Sequence, residues 1–85
     1  MKSFRYTITD EAGIHARPAG LLVKEAQKYV SKILLAVGEK QTEAKKLISV
    51  MALGIKSGQT VEVFIEGEDE EQALLGIKSF FEQNL

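Results

Sequence analysis

One short run gathers the chemistry of this chain. Gly13-Ile14-His15-Ala16-Arg17-Pro18 holds its only histidine and its only proline. A neutral imidazole is a nucleophile through its free nitrogen. Arg17 offers a planar fork of donors that suits a phosphate. The run falls between an alternating apolar segment and a helically spaced one, which places it on the loop from a first strand into a first helix. A helix start exposes unpaired N–H groups and carries roughly +0.5 of a charge, so it favours anions. Here the amides of Ala16 and Arg17 are the expected free donors, because Pro18 has none. A phosphoryl group attached to His15 would meet the same amides and the Arg17 guanidinium.

An isolated histidine on a small domain is more often an idle surface residue. Arg17 raises the functional reading, since a cation near the positive end of a dipole costs roughly 0.3–1 kcal/mol unless an anion is expected there. Nothing in the chain resembles a P-loop, a nucleotide-binding glycine fingerprint or a metal-ligand cluster, so neither a metal nor a cofactor is expected. Asp10 and Glu11 lie close by, with no second histidine to activate water or another substrate. A histidine able to take a phosphoryl group, without machinery to use it, reads as a carrier rather than a stand-alone enzyme.

The elements around this run are short. A chain of 85 residues makes one domain, 1–85, that buries only ~60–65 % of its unfolded surface. The net charge of -1 argues against nucleic acid as a partner. The absence of cysteine excludes disulfides and suits a reducing cytosol. No signal peptide and no apolar run near ~20 residues is found, so neither export nor membrane insertion is expected.

Alternation over 3–9 predicts a strand with Phe4, Tyr6 and Ile8 on its buried side. A helix is expected over about 16–29, with Ala19, Leu22, Val23, Ala26 and Val30 facing the core. Pro18 fits its first turn but disfavours helical angles at Arg17, which would delay the regular helix by a residue. The apolar run 33–37 predicts a central strand and 41–43 a polar edge strand. A short helix follows over 45–53, then an alternating strand over 60–66. Asp69 and Gln72 form a capping-box signature for the last helix, with Glu70 and Glu71 at the positive end of its dipole. Its buried face is Ala73, Leu74, Ile77, Phe80 and Phe81. The order β-α-β-β-α-β-α predicts an α+β domain with its helices on one face of an antiparallel sheet.

Gly13-Ile14-His15-Ala16-Arg17-Pro18-Ala19 resembles the active-site signature of HPr, the histidine-containing phosphocarrier family of the bacterial phosphoenolpyruvate:sugar phosphotransferase system. Residues 45–54, Lys-Lys-Leu-Ile-Ser-Val-Met-Ala-Leu-Gly, resemble the family's second-helix segment. Gly67-Glu68-Asp69-Glu70-Glu71 resembles its approach to the last helix. The resemblance implies an open-faced β-sandwich, with a four-stranded antiparallel sheet and three helices on one face. It implies that enzyme I, charged by phosphoenolpyruvate, passes a phosphoryl group to Nδ1 of His15, with Arg17 in support. His15 then hands it to IIA domains of sugar permeases. It also implies that the second helix docks both partners, through Leu47, Ile48 and Met51. Gly20 and Lys24 border that surface, and Lys24, Lys45 and Lys46 are expected as a basic rim for acidic partners.

Many members of that family carry a regulatory serine at the start of the second helix. This chain has Lys46 there, which cannot be phosphorylated, and Ser49 is a weak substitute. Gly20 stands where a larger residue is more usual and weakens its helix. The expected protein is therefore a cytoplasmic, monomeric phosphocarrier for sugar transport. The alternatives are a regulatory paralogue acting on a non-transport target and a small-ligand-sensing α+β module.

Overall fold

The computed structural model describes residues 1–85. Period-two patterning makes the sheet. In β1 (Lys2–Thr7) Phe4 and Tyr6 turn inward, and in β4 (Thr60–Glu66) Val61, Val63 and Ile65 do so. Pairing Phe4 with Val63 and Tyr6 with Val61 puts these side chains on one face. β2 (Lys32–Val37) adds Ile33 opposite Ile65 and Leu35 opposite Val63, so one face of three strands is continuously apolar. β3 (Lys40–Glu43) closes the far edge against β2. All pairs are antiparallel and the order is β1-β4-β2-β3.

Three helices cover the apolar face: α1 (Ala16–Ala26), α2 (Leu47–Ala52) and α3 (Glu70–Asn84). α1 buries Pro18, Ala19, Leu22, Val23 and Ala26, and α3 buries Ala73, Ile77 and Phe81. Phe81 is the central plug. Its ring meets Phe4 and Tyr6 edge-on at centroid distances of 5.7 and 5.5 Å. Such pairs add roughly 0.5–1.5 kcal/mol each beyond the area they bury. This is the four-stranded open-faced sandwich that the motif implied. On the uncovered face Phe64 lies between Ser3 and Leu34, and Arg5 pairs with Glu62 at 3.6 Å.

Four details differ from the sequence expectation. α1 ends at Ala26, because the amides of Lys28 and Tyr29 turn to the oxygens of Glu25 and Ala26, three residues back, and tighten the last turn. Val30 is consequently 72 % exposed rather than core. Pro18 does not delay the helix, which begins at Ala16. Asp69 and Gln72 form no capping box. The Asp69 carboxylate accepts the amides of Val30 and Ser31 and the Ser31 hydroxyl instead, and Gly67 donates its amide to Glu70.

Candidate functional site

The loop before α1 is built to leave His15 outside. Asp10 accepts the Gly13 amide on its main-chain oxygen at 3.0 Å and the Ala12 amide on its carboxylate at 2.9 Å, which folds 10–13 into a tight turn. Gly13 has a φ of 68°, which favours glycine. Ile14 is buried and anchors the turn to the core. His15 follows in extended backbone as the N-cap of α1, with its oxygen accepting the Ala19 amide at 2.9 Å. Its side chain is exposed and makes no capping hydrogen bond. The amides of Ala16 and Arg17 find no acceptor within the chain.

Arg17 is exposed and belongs to no ion pair. It lines a recess of about 250 Å³ together with His15, Asp10, Pro18, Leu21 and Asn84. The His15 imidazole and the Arg17 guanidinium thus share one recess at a helix start whose first two amides are free, a setting that can hold a tetrahedral anion. The C-terminal end of α3 is fastened beside this recess. The main-chain oxygen of Leu85 accepts the amides of Thr9 and Asp10, at 2.7 and 2.9 Å, and the Thr9 hydroxyl at 2.9 Å. Asn84 reaches the recess only through that tertiary contact, so no local pattern announces it. Leu21 had a signal, being one helical turn beyond Arg17.

α2 packs against α1 and has six residues, too few to bury every side. Val50 is fully buried. Leu47, Ile48 and Met51 are exposed, at 41 %, 84 % and 43 %. Lys24 is exposed and Gly20 half-buried, with open space where a Cβ would stand. The three-lysine rim is not what forms. Lys45 is half-buried, donates its ammonium to the Tyr29 oxygen at 2.7 Å and accepts the Gln27 amide on its own oxygen at 3.2 Å, so it braces α1 to α2. Lys46 caps α2 without a side-chain bond, since an ammonium has no acceptor, and pairs with Glu43 at 3.3 Å. Lys24 alone of the three has no ion-pair or hydrogen-bond partner in the chain. Ser49 is half-buried in a groove between α2 and β3, beside Thr42 and Leu53.

The ionisable groups held off their ordinary values stand elsewhere, around the end of α1 and the start of α3. Burial works against the Glu25 carboxylate, but hydrogen bonds from Lys28 and Tyr29 outweigh it and hold its pKa low. Burial and the same bond to Glu25 push the Tyr29 phenol up. No helix is long and apolar enough to cross a membrane.

The fold is an α+β sandwich that presents an exposed imidazole at a helix start. Residues 2–83 match the family model described as the PTS HPr component phosphorylation site. The chain is 44 % identical to the phosphocarrier protein HPr of Mycoplasma capricolum over 78 residues, 92 % of this chain and 88 % of that protein. A mycoplasma histidine-containing phosphocarrier structure superposes with a TM-score of 0.91 at 42 % identity, covering 93 % of this chain and 90 % of that one. HPr of Thermoanaerobacter tengcongensis superposes with a TM-score of 0.93 at 36 % identity, covering 98 % and 93 %. The chain belongs to the HPr family of phosphotransferase-system phosphocarriers.

Proposed function

We propose that this chain accepts a phosphoryl group on Nδ1 of His15 from phosphorylated enzyme I and passes it to IIA domains of sugar permeases in the cytoplasm. The observation that carries the reading is the exposed, unbonded His15 side chain at the start of α1, next to two amides without acceptors and an unpaired Arg17. The tautomer with its proton on Nε2 leaves a lone pair on Nδ1. That pair forms the N–P bond while the bond from phosphorus to the donor breaks, its electrons staying on the donor. The Ala16 and Arg17 amides and the guanidinium stabilise the charge on the phosphoryl oxygens during transfer and afterwards.

Leu47, Ile48 and Met51, with Gly20 and Lys24 beside them, form the surface on which both partners dock in turn. The surface is small and shared, which suits a monomeric shuttle that must leave as readily as it arrives. Reconstitution tests the reading. With phosphoenolpyruvate and enzyme I the chain should be labelled once, and the label should move to a IIA domain when one is added. Labelling without onward transfer to any IIA domain would favour the regulatory-paralogue alternative.

A further inference from the structure

The loop that carries His15 is clasped to the loop that follows α2. Ile14 donates its amide to the Ile55 oxygen at 3.0 Å, and both side chains are buried. Gly13 permits the approach. A Cβ there would lie 2.5 Å from the Ile55 oxygen and 2.8 Å from Lys56 Cα, both main-chain atoms that cannot swing aside. On the other side of the clasp, the Gly54 amide donates to Met51 at 3.1 Å and the Leu53 amide to Val50 at 3.2 Å. The same segment is fixed to the end of β1, where Gln59 accepts the Ile8 amide at 2.9 Å and Gly58 donates to Ile8 at 2.8 Å. Main-chain bonds therefore tie the docking helix to the residue preceding His15.

We propose that Gly13, Ile14 and Ile55 are positioning residues: the main-chain bond from Ile14 to Ile55, which Gly13 permits, holds the His15 imidazole at a fixed offset from the exposed face of α2. The proposal rests on the carrier reading given above. A partner seated on Leu47, Ile48 and Met51 then finds the acceptor nitrogen already in place. An imidazole displaced by about 1 Å can slow a positioned reaction by about a hundredfold.

Steady-state phosphorylation of the full chain by enzyme I and phosphoenolpyruvate tests this. Gly13→Ala should lower kcat by about tenfold or more while KM moves by less than about twofold, because the docking face is untouched. Hydrogen exchange at the Ile14 amide should accelerate in the same variant. Gly38→Ala applies similar backbone strain in the turn between β2 and β3, where φ is 59° and space is open, and should change neither constant. Should Gly13→Ala not fold, an ester in place of the Ile14 amide removes the donor alone and should give the same loss of kcat. An unchanged kcat in the folded variant or the ester overturns the positioning role, as does a rise confined to KM. A wild-type chain that takes no phosphoryl group overturns the carrier reading, and this proposal with it.

Discussion

The carboxylate of Asp69 holds Ser31 rather than its own helix. It accepts the main-chain amide and the hydroxyl of Ser31, 38 residues away, and the Val30 amide at 3.0 Å. The start of α3 is thereby fastened to the start of β2. The Ser31 hydroxyl first, then the two amides, hold the Asp69 carboxyl below its ordinary value of 3.8. A depressed carboxylate contributes stability that is complete above the unfolded value and is lost as pH falls through the folded one. Stability to thermal unfolding should therefore fall as pH drops below 3.8. Asp69→Asn should flatten that decline without abolishing it, because the Gly67 amide holds Glu70 low in the same way. An unaltered pH profile in Asp69→Asn would contradict the assignment.

Two glycines in helices predict opposite outcomes for one substitution. At Gly20 a methyl group meets nothing within 4 Å, so Gly20→Ala should stabilise α1 by about 0.5–1 kcal/mol. Urea denaturation midpoints read this directly.

At Gly76 the same methyl would collide with the Tyr29 hydroxyl, which itself donates to Glu25 at 2.8 Å where α1 crosses α3. Overpacking of about 1–3 kcal/mol then outweighs the helix-propensity gain of about 1 kcal/mol, and Gly76→Ala should destabilise. The penalty should vanish in a Tyr29→Leu background, and a double-mutant cycle measures the coupling.

How much of this could be read from the sequence follows from the range of each interaction. Local periodicity was enough for the strands, because Phe4, Tyr6, Val61, Val63 and Ile65 alternate and one face is buried. The motif around His15 was legible as a contiguous run of residue types, although Pro18 pointed to a later start for α1 than Ala16. Val30 was misplaced, since hydropathy at helical spacing continues past the residue where the hydrogen bonds tighten. The Asp69 capping box was a sound local pattern overridden by a distant serine. Lys45 looked like a surface cation because its acceptor, the Tyr29 oxygen, is a main-chain atom that no composition reveals. Gly76 and Asn84 take their meaning only from neighbours across the fold.

Docking and chemistry should separate by mutation. Ile48 is 84 % exposed, so Ile48→Ala should leave stability within about 0.5 kcal/mol of wild type. Its KM for enzyme I should rise by about fivefold or more, as for an apolar anchor at an interface. Equal KM values would remove α2 from the docking surface.

Arg17 makes no ion pair in the folded chain, so Arg17→Ala should fold normally. Loss of one charge-stabilising group should lower the transfer rate by roughly 10²-fold, read in a single-turnover assay with phosphorylated enzyme I. A normal rate would leave the anion to the backbone amides alone.

The phosphorus and proton NMR spectra of the chain, after incubation with phosphoenolpyruvate and enzyme I, test the central claim most directly. The carrier account predicts a single acid-labile phosphohistidine signal, coupled to the His15 ring as Nδ1 substitution requires and missing from His15→Ala. A signal that survives in His15→Ala, or that reports Nε2, would contradict it.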